Sequence, residues 1–144
     1  MIGELYKAVY TQLTLPDVED PEWINLFKLY VNSRIYALEA PPETAFLFAV
    51  FVIDQPDVEH FFGGESRQTA TLSVDIYGKT ESGIATLMQA EGALNDLMDL
   101  AELSATGFDR VRVRSISRGG IEFDGSEQYR VRSIFELIAS TNGG

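Results

Sequence analysis

The chain contains no cysteine, one histidine (His60) and one tryptophan (Trp23). Without cysteine there is no disulfide, no thiol nucleophile and no thiolate-held zinc or iron–sulfur site. With a single imidazole, any Ser-His-Asp arrangement or histidine general base must run through His60. Bases are scarce too: 11 Lys and Arg stand against 22 Asp and Glu, a formal charge of -11 and a pI near 4.4. A surface so acidic repels phosphates, so nucleic acid is not expected as a tight ligand. The longest uninterrupted apolar run, Ala45 to Ile53, has 9 residues, against the roughly 20 of a membrane-spanning helix. The N-terminus, MIGELYKAVYTQLTLPDVED, has no basic start and no small-residue cleavage site. It does not read as a secretory signal, and the expectation is a soluble intracellular protein with no membrane partner. What is present is a balanced 144 residues, 45% apolar and 23% charged, enough for one domain over 1–144 with a real core.

Hydrophobic spacing organises that domain. Ile2, Leu5, Tyr6, Val9, Tyr10 and Leu13 make one helical stripe, predicting a helix over 2–13. After TLPDVEDP, Asp20 is placed to cap and Pro21 to start a second helix over about 21–32, carrying Trp23, Leu26, Phe27 and Tyr30. The run 45–53 is rich in aromatic and β-branched residues and follows Pro41-Pro42, which favours a strand apolar on both faces. Its second face would need another layer or another chain to cover it. Ala70 to Tyr77 alternates, with Ala70, Leu72, Val74 and Ile76 on the buried side. Between these strands the polar connection 55–68 is long for a hairpin loop and carries Phe61 and Phe62 near its tip. Thr80 is placed to cap a long helix reaching about Leu103. Two further alternating segments, 109–118 and 128–138, flank the turn-like GGIEFDGSE and predict a hairpin. The order predicts an α+β fold: a mainly antiparallel four-stranded sheet with helices packed on one face.

Few residues suggest chemistry. His60 lies in the long connection, with no recognisable nucleophile or rigid support beside it. Asp17, Glu19, Asp20 and Glu22 lack the spacing and central glycine of a calcium loop, and Glu122, Asp124 and Glu127 surround a turn. Asp96, Asp99 and Glu102 share a helix surface, but nothing selects them as an acid pair. Gly63, Gly64, Gly119 and Gly120 form no phosphate loop and read as turns. No catalytic residue, metal or cofactor is therefore expected.

Charge is segregated along the chain. Residues 1–66 hold 11 acids against 3 bases, whereas Arg110, Arg112, Arg114, Arg118, Arg130 and Arg132 all fall in the final hairpin. If Val111 and Val113 point inward with Tyr129, Val131 and Phe135, then Arg112, Arg114, Arg130 and Arg132 share the outer face with Ile116, Ile134 and Ile138. Two readings follow. In one, these arginines pair with Glu122, Glu127 and Glu136 on a solvated surface. In the other, an arginine-and-isoleucine face meets acidic surface on a neighbouring copy, head to tail, and closes a ring. Phe61 and Phe62 are candidate contacts to a neighbouring subunit or other partner, against folding back onto their own domain.

The stretch NSRIYALEAPP (32–42), the apolar strand, the TLSVDIY strand (71–77), the long helix and a tyrosine-led C-terminal strand together resemble the tail completion or tail terminator proteins of long-tailed bacteriophages. The resemblance covers about 1–138. It implies a small α+β subunit forming a ring, expected to be a hexamer, that caps the finished tail tube, ends its polymerisation and joins tail to head. The implied partners are further copies of the chain, the tail tube protein and a head-completion or connector protein. DNA would pass through the ring without specific binding. The implied location is the head-proximal end of the virion tail, after assembly in the host cytoplasm. No enzymatic residues come with that family. The alternatives are a head-completion or neck ring at the same junction and a small-ligand-binding or enzymatic α+β domain.

Overall fold

A computed structural model describes residues 2–54, 57–60, 66–79, 83–123 and 128–141. In chain order the elements are α1 (Ile2–Leu13), β1 (Val18–Glu19), β2 (Glu22–Trp23), α2 (Leu26–Tyr30), β3 (Ile35–Ala37) and β4 (Phe48–Ile53). There follow β5 (Asp57–His60), β6 (Ser66–Lys79), α3 (Ile84–Met98), β7 (Glu102–Leu103), β8 (Arg110–Phe123) and β9 (Gln128–Thr141). The expected four-stranded, mainly antiparallel α+β sheet is overturned. The protein is mostly β: seven strands form one mixed sheet in the order β3-β4-β6-β9-β8-β7, with β5 also paired to β6, and β1 and β2 form a separate two-stranded sheet. The sheet is mixed because β3 runs parallel to β4, with Ile35 opposite Ala49 and Ala37 opposite Phe51.

Long strands account for most of the difference. β6 and β9 have 14 residues each and pair along their whole length, from Ser66 opposite Thr141 to Lys79 opposite Gln128. The first part of β6 lies inside what reads as a loop, and β5 from the same stretch folds back on it, Asp57 facing Thr69 and His60 facing Ser66. β3 and β7, at 3 and 2 residues, are too short to show alternation.

The helices also start and stop elsewhere. α1 matches its predicted span, burying Leu5, Val9 and Leu13, and the Tyr6 hydroxyl accepts a 2.9 Å hydrogen bond from the Ile53 N–H of β4. α2 begins at Leu26, because Asn25 outcompetes Asp20 as the cap. The Asn25 side chain accepts from the Lys28 N–H at 3.0 Å and donates to the carbonyls of Leu13 and Leu15 at 3.1 Å each, supplying partners that the end of α1 leaves open. Asp20 and Pro21 instead join β1 to β2. α3 is shorter than predicted, with Gly83 at its N-cap; Thr80 lies outside the described residues. It ends where the Asp99 carboxylate turns to accept from the Ser115 N–H at 2.8 Å. Leu100, in left-handed backbone at φ 65, then lets its N–H bond the Val113 carbonyl of β8.

One face of the sheet carries the core. Ala49, Phe51 and Ile53 of β4, Leu72, Val74 and Ile76 of β6, Val131, Phe135 and Leu137 of β9, and Val111 and Val113 of β8 are all buried there. They join Leu5, Val9 and Leu13 of α1 and Leu87, Ala90, Leu94 and Met98 of α3 in a single cluster. The alternate residues of the same strands form the opposite face, which none of the three helices covers.

Candidate functional site

The uncovered face carries the arginines. Strand alternation puts Arg110, Arg112 and Arg114 of β8 and Arg130, Arg132, Ile134, Glu136 and Ile138 of β9 on it, beside Asp75 and Tyr77 of β6 and Phe48, Val50 and Val52 of β4. Most of these side chains are half-buried by one another. Phe48 stacks on Tyr77 with ring centroids 5.0 Å apart, and Phe46 packs against Phe48 under the Lys79 ammonium.

Register decides how the charges meet. Arg114 lies directly opposite Glu136, Arg130 opposite Glu122 and Arg132 opposite Asp75, so each arginine faces an acid across a strand pair instead of another arginine. All three pairs close: Arg114 to Glu136 at 2.9 Å, Arg130 to Glu122 at 2.7 Å, and Arg132 to both oxygens of the largely buried Asp75 at 2.8 and 3.0 Å. At the sheet edge Arg110 grips Glu102 of β7 at 2.7 Å. These bonds move pKa values in the directions that hold the charges. Hydrogen bonding to Glu122 raises the Arg130 guanidinium, bonding to Asp75 raises Arg132, and bonding to Arg110 lowers the Glu102 carboxyl. Arg112 differs: it lies between Ile138 and Glu102 in the ladder and forms no hydrogen bond or ion pair among the described residues. It borders a shallow groove of about 460 Å³ with Leu100, Arg114 and Ile138.

One expected member of the face, Ile116, is placed differently, and so is the neighbouring Arg118 of the same hairpin. The register of β8 on β9 shifts between Ser115 and Ser117 and again between Arg118 and Ile121, so Ile116 stands in a β-bulge, half-exposed and out of the ladder. The bulge turns Arg118 to the helical side. There its Nε and Nη2 donate to the two oxygens of Glu91 on α3 at 2.7 and 2.6 Å, and the Ser133 hydroxyl donates to the same carboxylate at 3.3 Å. Glu91 is 1% exposed. This clamp between helix and sheet was missed in the sequence, where its one signal is a carboxylate set between Leu87 and Leu94 on the apolar stripe of α3. Gly119 and Gly120 belong to β8 rather than to a turn; a Cβ on Gly119 would collide with the Arg132 carbonyl oxygen. Phe61, Phe62, Gly63, Gly64, Asp124 and Glu127 lie outside the described residues, and of His60 only the backbone, in β5, is described.

On the helical side, α1, α2 and α3 enclose a second groove of about 470 Å³ lined by Trp23, Ile24, Leu26, Ala93 and Leu97, with Asp96 at its edge. Leu29 of α2 is 64% exposed nearby in sequence. Glu19, Asp20 and Glu22, on and between β1 and β2, form no ion pair among the described residues. Among those residues there is no group of three or more His, Asp or Glu placed to hold a metal, and no helix is long and apolar enough to cross a membrane.

No family model matches the chain, and no curated protein matches it. Solved structures do share its fold. A chain in the virion of a native gene transfer agent particle superposes with a TM-score of 0.68 over 97% of both chains at 19% sequence identity. A second solved protein, whose name carries no functional description, superposes with a TM-score of 0.69 over 96% of this chain and 95% of its own at 14% identity. At these identities the likeness is one of fold.

Proposed function

We propose that the chain is a structural subunit of a phage-like virion: a tail-terminator-like protein whose copies form a ring, a hexamer by the family resemblance, that caps the tail tube, ends its growth and joins it to the head. The observation that carries this reading is the end-to-end likeness in fold to a chain of a gene transfer agent virion. Two features support it. The NSRIYALEAPP and TLSVDIY segments resemble tail terminators, and one sheet face, part apolar and part arginine-rich, has no covering layer among the described residues. In this reading the arginine-and-isoleucine face is subunit interface, the tube and a head-completion or connector protein are the neighbours above and below, and DNA passes without specific binding.

The test is light scattering coupled to size exclusion, alone and with polymerising tail tube protein, followed by electron microscopy of the tubes. The expected result is a multi-subunit ring seated on tube ends and tubes that stop lengthening when the protein is added. Tubes that grow uncapped in its presence overturn the proposal. Binding to DNA-filled heads in preference to tubes would assign the ring to the head side of the junction instead.

A further inference from the structure

The two unsatisfied surfaces of the subunit lie on different layers. The sheet layer presents Arg112, without an ion pair among the described residues, beside Ile138 and the exposed Leu100, whose backbone is held in the left-handed region. The helical layer presents an apolar groove around Trp23, Ile24 and Leu26, adjoining a short acidic hairpin in which Glu19 stands directly opposite Glu22. Like charges in that position repel one another unless a cation is brought to them. No base occurs between Lys7 and Lys28 to supply it locally. Each layer therefore offers what the other can use: one has a cation without a hydrogen-bonded partner among the described residues beside Leu100 and Ile138, the other has carboxylates and an apolar recess.

We infer that the groove of α1, α2 and α3 with its β1–β2 acidic hairpin is the socket for the β7–β8 edge of a second copy of this chain, Arg112 meeting Glu19 and Glu22 while Leu100 and Ile138 cover Trp23, Ile24 and Leu26. This deepens the ring reading, on which it rests, by naming the two surfaces of the contact. The contact is head to tail, because donor and socket are different surfaces on one subunit. Every subunit gives one edge and receives one, so a closed ring leaves neither exposed. The ion pairs already closed on the sheet face, Arg110 with Glu102 and Arg114 with Glu136, hold the donor edge in place without competing for the socket.

Charge exchange tests this directly. R112E and the double variant E19K/E22K are each purified as full-length chains, with circular dichroism and thermal melts matched to the parent to show that they fold. Light-scattering mass is then read in solution, and cap occupancy is read on tail tubes. Each variant alone should lose assembly by tenfold or more in the concentration required. An equimolar mixture of the two should regain it, because each then supplies the surface that the other has reversed, and the triple variant should regain it alone. A folded I24S/L26S variant should also stay monomeric. Variants that assemble like the parent, or reversals that disrupt without rescue on mixing, overturn the socket while leaving the ring standing. A parent chain that is monomeric both in solution and on tubes overturns the ring and the socket together.

Discussion

The two faces of the large sheet are made by alternate residues of the same strands, yet they hold together by different means. On the helix-covered face Leu72, Val74, Val131, Phe135 and Leu137 exclude water almost completely, and the ion pair of Arg118 with Glu91 ties sheet to helix. On the other face arginines meet acids in direct cross-strand pairs that solvent still reaches, as at Arg114 with Glu136. The first face supplies stability, since apolar burial contributes about 25 cal/mol for each Å² removed from water. The second supplies little, because exposed ion pairs contribute roughly 0–1 kcal/mol each.

Three substitutions probe that contrast, in descending size of effect. Phe135→Ala removes a fully buried ring from the covered face and should lower the unfolding free energy by about 3–5 kcal/mol, read from urea midpoints. Arg118→Ala should cost about 3 kcal/mol, because it leaves the buried Glu91 carboxylate with only the Ser133 hydroxyl, and adding Glu91→Gln should recover part of that loss. Arg110→Ala, at the exposed edge, should leave the midpoint at neutral pH nearly unchanged. The sign of its pH dependence is set by Glu102, whose carboxyl Arg110 holds below the ordinary carboxylate range. The pair stabilises the fold while Glu102 is ionised above that range, and its contribution disappears as pH falls through the lowered value. The small difference between parent and Arg110→Ala should therefore shrink as pH falls below the ordinary carboxylate range and vanish once Glu102 is protonated in both. A loss at Arg110 equal to that at Arg118 would erase the distinction between the faces.

The sequence shows the parts of this fold that are periodic over several residues. Leu5, Val9 and Leu13 of the α1 stripe, though not the exposed Tyr10, the alternation of Ala70 to Ile76 and the inward Val111, Val113, Val131 and Phe135 of the hairpin are where their spacing puts them. Strand count is not readable, because β3 and β7 are too short to carry a period and β5 lies in a polar stretch with few apolar residues to mark it. The start of α2 is set by long-range bonds from Asn25 to the end of α1, which propensity does not contain. For the candidate site, alternation correctly puts Arg112, Arg114, Arg130, Arg132, Ile134 and Ile138 on one face. Their partners depend on register, and Asp75 is 57 residues from Arg132 in the chain. Nor does alternation announce its own interruption: Arg112, Arg114 and Arg118 are all even-numbered, so the sequence groups them where the strand separates them.

The unpaired position at Ile116 makes the spacing along β8 as meaningful as its composition. Paired without a bulge, the strand would set Ile116 opposite Ile134 and Arg118 opposite Arg132 among the other arginines; the extra residue sets Arg118 opposite Ser133 instead, where it reaches Glu91 beneath α3.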